Sequence, residues 1–175
     1  PAAETTGLAG KKRRSVSGGA AAAAPRRQYA ALPYRRHEQL EVMLVSSRET
    51  RRWVLPKGWP MKGKKPHTVA ATEALEEAGL LGKISKKPIG AYHYVKRMPN
   101  GAALDCEVEV FPFRVEKQRK NWRERDQRTT SWFAIADAAH LVDEPQLSAL
   151  LLHFAQPAPA AEAEQAEVTL ETIGR

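Results

Sequence analysis

Thr72-Glu73-Ala74-Leu75-Glu76-Glu77-Ala78-Gly79-Leu80 is the stretch on which the architecture of this 175-residue chain turns. Ala, Leu and Glu are strong helix formers, and Gly79 is placed to end the helix as its C′ residue. With Thr68 as the N-cap, the pattern predicts a helix over Val69–Ala78. Glu73, Glu76 and Glu77 stand at i, i+3 and i+4, so their carboxylates share one side of that helix about one turn apart. Like charges held so close repel unless something positive sits among them. Oxygen donors on a rigid element suit Mg2+ or Mn2+, ions that keep several waters and complete their coordination with phosphate oxygens. Acidic helix faces are also common as plain solvated surface, and the residues in front of this one tip the balance.

Those residues run Lys57-Gly58-Trp59-Pro60-Met61-Lys62-Gly63-Lys64-Lys65-Pro66, a loop rich in glycine and lysine. Before it, Gln28 to Tyr34, Gln39 to Ser47 and Trp53 to Leu55 read as strands, the second with Leu40, Val42 and Leu44 on one side and Glu41, Met43 and Val45 on the other. After the helix, Ile84 to Met98 and Ala102 to Val115 are predicted as an extended pair around the turn Pro99-Asn100-Gly101. A charged stretch, Lys117 to Thr130, interrupts the pattern before Ser131-Trp132-Phe133 and two further helical segments, Ala134 to Leu141 and Pro145 to Phe154. Strands on both sides of a central helix, with more helix at the end, imply an α/β sandwich with a mixed central sheet.

Charge is unevenly spread over the chain, whose formal net charge is +8. Residues 1–27 hold six basic side chains and one acid, and residues 155–175 hold four glutamates and one arginine. Both ends are poor in large apolar residues, which predicts a disordered basic arm (1–27), one folded domain (28–154) and a disordered acidic tail (155–175). The folded part keeps a positive excess, which draws anionic ligands. Cys106 is the only cysteine, so a disulfide scaffold within the chain and a zinc ribbon are excluded. No apolar run approaches the roughly 20 residues that span a bilayer. The arm lacks a secretory hydrophobic region, and a cytoplasmic protein without membrane contact is expected.

With Gly58, Glu73, Glu76, Glu77, Gly79 and Leu80 at matching spacings, the chain resembles the Nudix hydrolase family, whose box reads G-x5-E-x7-R-E-U-x-E-E-x-G-U, U being aliphatic. Lys64 stands where the box has its first Glu, Thr72 where it has Arg, and Ala74 is small for its aliphatic slot. In the family that Glu and Arg fix the loop against the helix, and losing both removes the pair without stranding one charge. Within the family the chain is most similar to the diphosphoinositol polyphosphate phosphohydrolases, through Leu44-Val45-Ser46-Ser47-Arg48, Trp53, the Glu-Glu-Ala-Gly helix end, Trp122 and Trp132-Phe133.

The resemblance implies a Nudix-type α/β/α sandwich and metal-assisted attack of water on a phosphorus of a diphosphate. It implies Glu76 and Glu77 as principal metal ligands, Glu73 as either a third ligand or the base, and the backbone carbonyl of Lys57 as a further ligand. The cofactor would be Mg2+, with Mn2+ an alternative. Gly58 would serve close backbone approach. Lys57, Lys62, Lys64 and Lys65 would gather positive charge beside the phosphates. Arg27, Arg35, Arg48, Arg51, Arg52 and Arg128 are candidates for gripping distal phosphates, with Arg27 and Arg48 ranked first. Glu107 or Glu109 could add a ligand or pair across strands with Lys96 or Arg97. The five histidines have no metal-ligand spacing, and Cys106 reads as a buried thiol.

The leading expectation is a pyrophosphohydrolase acting on an anionic small molecule, a diphosphoinositol polyphosphate or a dinucleoside polyphosphate. The alternative is a non-catalytic module that holds RNA or polyphosphate; a third reading is removal of pyrophosphate from RNA 5′ ends or cleanup of damaged nucleotides. Nucleic acid is a possible partner and not a required one. The sequence carries no signal of oligomeric state.

Overall fold

Strand β2 (Leu40–Ser46) is buried on both faces, and this makes it a central strand of a sandwich. Leu40, Val42 and Leu44 belong to one apolar cluster, Met43 and Val45 to a second on the opposite side of the sheet. The computed structural model describes residues 23–157. The remaining strands are β1 (Arg26–Arg36), β3 (Trp53–Val54), β4 (Lys57–Gly58), β5 (Leu80–Ile84), β6 (Gly90–Arg97), β7 (Ala103–Gln118) and β8 (Thr130–Ala134). The helices are α1 (Pro66–Ala78), α2 (Ile135–Leu141) and α3 (Pro145–Ala155).

The sheet's main path runs β3-β2-β1-β7-β5, with β8 on β2, β4 on β1 and β6 on β7. Among the described residues only the β1–β7 pairing is parallel; the other ladders are antiparallel, so the sheet is mixed. Ala70, Ala74 and Ala78 of α1 pack with Ala31, Met43 and Phe111 on one face. Ile135, Ala138, Leu147 and Leu151 of α2 and α3 pack with Ala30, Leu32 and Val108 on the other. The result is the expected α/β/α sandwich. The chain's single cysteine, Cys106, is fully buried. Among the described residues no helix is long and apolar enough to cross a membrane.

Several boundaries depart from the sequence expectations for local reasons. The central helix starts at Pro66, with Lys65 rather than Thr68 in the N-cap position, because a proline at N1 has its φ preset and no N–H to lose. Gly79 ends it in the left-handed region at φ 68, as expected of a C′ glycine. The extended run expected over Ile84–Met98 is two strands, since Ser85–Ile89 leave the ladder between β5 and β6. Strand β1 opens at Arg26, inside the segment expected as arm. The rest of that arm up to residue 22, and the expected tail from 158 on, lie outside the described residues.

Candidate functional site

Helix α1 lies over β1 and β4, and its acidic face looks into a cavity of about 780 Å3. Glu73, Glu76 and Glu77 line it together with Lys57, Gly58, Arg48 and Arg128. Gly58 is pressed against this face: a Cβ there would stand 2.1 Å from Oε1 of Glu73. The strand can approach the carboxylate only because Gly58 lacks a side chain. Its backbone is not in the left-handed region, so close approach rather than turn geometry explains the residue.

The opposite wall comes from the charged stretch between β7 and β8. It folds back over the C-terminal end of α1, whose last carbonyls would otherwise lack partners. Gln118 Nε2 donates to the Ala78 carbonyl at 3.0 Å and Trp122 Nε1 to that of Glu77 at 3.1 Å. The backbone N–H groups of Arg119 and Glu124 donate to Gly79 and Glu76 at 2.8 and 3.0 Å. The Trp122 ring fills the space beside Gly79, where a Cβ would meet it at 2.6 Å. This clamp brings Arg123 and Glu124 into the cavity. Both were missed in the sequence, where Arg123-Glu124-Arg125-Asp126-Gln127-Arg128 has no period to separate a site residue from a solvated one.

Arg128 links the two walls. Its side chain is 9% exposed and donates from Nη2 to Glu77 at 2.9 Å, from Nε to Glu124, and from Nη1 to the Ser46 carbonyl at 3.1 Å. It therefore holds carboxylates and a backbone carbonyl, rather than standing free for substrate. Arg123 Nη1 lies 3.1 Å from Glu76. Arg48 Nη1 donates to Gln127 at 3.2 Å and is 3.8 Å from Glu124. Arg52 also lines the cavity but is engaged by Glu144 at 2.9 Å and Asp143 at 3.3 Å.

Other candidates lie elsewhere. Arg27 is 3.9 Å from Glu107, outside the cavity lining. Glu107 pairs with His93 at 3.3 Å rather than with Lys96 or Arg97, because the β6–β7 register sets His93 opposite it. Neither Glu107 nor Glu109 reaches the cavity. Lys62 and Lys64 are exposed and outside the lining. Lys64 Nζ instead donates to Thr72 Oγ1 at 3.3 Å, and Thr72 Oγ1 donates to the Thr68 carbonyl at 2.8 Å. The two departures from the box still touch each other, joining loop to helix without an ion pair. Trp59 lines the cavity with Lys96 Nζ 5.2 Å and the Arg26 guanidinium 5.3 Å from its ring centroid.

The site's electrostatics are those of crowded carboxylates. Burial pushes the Glu77 carboxyl up to about 7; Arg128 and Lys57 oppose the rise, and Glu73 and Glu124 add to it. Glu73 is raised as well, by burial first and then by Glu76 and Glu124. Burial lowers the Lys57 ammonium, against the pull of Glu77 and Glu144. At Glu77, burial and the neighbouring carboxylates thus outweigh Arg128 and Lys57. Its donors are all hard carboxylate oxygens, a set that fits Mg2+ or Mn2+ in chemistry. Among the described residues no three acidic, histidine or cysteine side chains are drawn together tightly enough to hold an ion. Arg123 and Arg128 hold Glu76 and Glu77 in separate ion pairs.

No family model matches the chain. Among curated proteins it is 30% identical over 108 residues to Nudix hydrolase 12, mitochondrial, of Arabidopsis thaliana, an alignment covering 59% of this chain and 52% of that one. It is 29% identical over 116 residues to diphosphoinositol polyphosphate phosphohydrolase 3-alpha of Mus musculus, covering 65% and 66% respectively. The chain thus spans about half the length of the plant relative and somewhat more of the mouse one. In fold it is similar to a C. elegans Ap4A hydrolase in a binary complex, with TM-score 0.56 and 19% identity over 74% of this chain and 94% of that one. It is likewise similar to the NUDIX domain of Shewanella oneidensis NrtR complexed with ADP ribose, with TM-score 0.57 and 16% identity over 77% and 90%. In sequence the chain is similar to Nudix hydrolases over part of their length, and in fold it is similar to solved Nudix structures.

Proposed function

We propose that the chain is a divalent-metal-dependent pyrophosphohydrolase that cleaves a phosphoanhydride bond in a highly anionic small molecule. The observation that carries this reading is the division of one cavity into an acidic wall and a cationic rim. Glu73, Glu76, Glu77 and Glu124 crowd the inner wall, and Arg48, Lys96, Arg97 and Arg123 stand around it. Glu76 and Glu77 would hold Mg2+ or Mn2+, with Glu73 and the Lys57 carbonyl as further donors. A bound ion would neutralise phosphate oxygens and lower the pKa of the attacking water.

The chain's own groups supply the rest. A carboxylate whose proton affinity is raised is a better acceptor of a proton from water, and Glu73, raised by burial and seated against Gly58, would take that role where it is not a ligand. Arg123, exposed and paired with Glu76, and Arg48, exposed beside Glu124, would supply guanidinium donors to substrate phosphates. Diphosphoinositol polyphosphates and dinucleoside polyphosphates are the proposed substrate classes, in keeping with the names of the mouse relative and the C. elegans structure.

Phosphate release from a panel of diphosphoinositols, dinucleoside polyphosphates, sugar nucleotides and triphosphorylated RNA, with Mg2+ and with EDTA, tests the proposal. Turnover is expected with Mg2+ alone and is abolished in the Glu76→Gln/Glu77→Gln variant, which keeps its fold. Persistence of turnover in that variant refutes the carboxylate assignment. A second reading, a non-catalytic module that binds RNA or polyphosphate, is favoured by the ion pairs that occupy Glu76 and Glu77. Binding without turnover across the panel would select it.

A further inference from the structure

A second cavity, of about 620 Å3, opens where β1 ends, and it shares no residue with the first. Gln28 lines the first and Tyr34 the second, six residues further along the same strand, or about 20 Å at the rise of an extended chain. The new cavity is lined by Arg35, Arg36, His37, Arg114 and Lys117, with Glu116 as its only acid. From this cluster we infer a second anion site, one that takes a multiply phosphorylated small molecule. It stands whether or not the first cavity is catalytic.

The cations are under-compensated. Arg35 is paired with Glu41 at 2.6 Å, and Arg114 has Glu116 at 3.7 Å. Among the described residues Arg36 and Lys117 have no carboxylate within ion-pair distance, and both are exposed. Beside the cavity, whose lining does not include Lys83, Arg114 is set directly opposite that lysine in the β5–β7 ladder, a like-charge pair of the kind that destabilises a sheet. Positive charge is therefore concentrated here at a cost to the fold, in a concavity of the size that small ligands fill.

The same geometry argues for phosphate groups and against nucleobases. The Trp132 ring is covered by the Arg35 guanidinium, 4.1 Å from its centroid, and the Tyr34 ring packs edge-on against Phe154 at 5.1 Å. The Arg35 guanidinium thus already takes one face of the Trp132 ring on which a base could stack. What remains are guanidinium forks and an ammonium, groups that recognise phosphate oxygens.

Calorimetric titration of the full chain with inorganic tripolyphosphate in EDTA tests the site. A saturable event is expected that survives in Arg48→Ala/Arg123→Ala, altered in the first cavity. It should weaken at least about tenfold in Arg36→Ala/Lys117→Ala, which loses two charge-assisted contacts. An unchanged isotherm in Arg36→Ala/Lys117→Ala overturns the proposal. So does loss of the event when Lys11, Lys12, Arg13 and Arg14 are replaced by alanine, which would move binding to the N-terminal segment. A ten-nucleotide RNA that binds more tightly than tripolyphosphate through Arg36 and Lys117 would overturn the small-molecule assignment in favour of nucleic acid.

Discussion

The two walls of the first cavity are built by opposite means. Helix α1 follows from local chemistry: helix formers, a proline at N1, a glycine at its end, and small apolar residues turned to the sheet. The clamp from Arg119 to Thr129 has no regular hydrogen-bond ladder and is held by what it touches: the last carbonyls of α1, the face of Gly79, and the buried carboxylates that close around Arg128. A wall made by periodicity tolerates changes at single exposed positions. A wall made by specific contacts concentrates its stability in a few side chains.

Arg128→Ala tests that contrast most severely. It leaves Glu77 and Glu124 in a buried setting without their donor and strips the Ser46 carbonyl of its partner. Breaking a buried pair in this way costs roughly 3–5 kcal/mol. Arg123→Ala removes an arginine that is 71% exposed and should cost less than about 1 kcal/mol. Urea unfolding of the two variants measures the difference. Similar losses from both would mean that the clamp is not held through Arg128.

Glu77 sharpens the comparison through pH. Its carboxyl sits at about 7 in the folded chain against an ordinary 4.5, so the folded state binds the proton more tightly than the unfolded one. The sign follows directly. The stabilisation from this group is complete below about pH 4.5 and is lost as pH rises through 7, a fall of up to about 3 kcal/mol by linkage. Glu73, also raised, acts in the same direction. Stability curves in EDTA should therefore fall between pH 4.5 and 7, and Glu77→Gln should flatten most of that fall. Added Mg2+ should oppose it, since a cation among the carboxylates favours their charged form. An unchanged slope in Glu77→Gln would show that burial of this carboxyl is not what tunes the site.

The sequence made one wall legible and hid most of the other for the same reason. Glu73, Glu76 and Glu77 share a helix face because 3.6 residues make a turn, and the structure lines all three on one cavity. The alternation in β2 likewise separated Leu40, Val42 and Leu44 from Met43 and Val45 before any coordinates, and each set lies in its own cluster. Glu124 carries no such mark. It enters the site because Trp122 seats on Gly79 and turns the chain, a contact between residues 43 apart in a segment without period. Arg27 fails to reach the cavity for a related reason. The sequence put it in the arm before Gln28, and neither its place on β1 nor the parallel register that brings Glu107 beside it was readable.

Lys64 and Thr72 supply the smallest test, and it bears on the wall that tolerates change. Where the family's box has a Glu and an Arg, this chain keeps contact through a single exposed bond from Lys64 Nζ to Thr72 Oγ1, and Thr72 is secured by its own bond to the Thr68 carbonyl. Replacing either residue with alanine removes one solvent-exposed hydrogen bond and strands no buried group, so the loss should be within about 0.5 kcal/mol. The double variant Lys64→Glu/Thr72→Arg restores the opposite charges of the box in reversed chemistry from the present pair. As a surface ion pair it should change stability by less than about 1 kcal/mol, a gain that salt weakens. Because both residues lie outside the cavity lining, turnover in that variant should stay within a few-fold of the parent. A tenfold rise in kcat on restoring the pair would mean that the loop carrying Gly58 is poorly held in the natural chain, and that the helical wall depends on a specific contact after all.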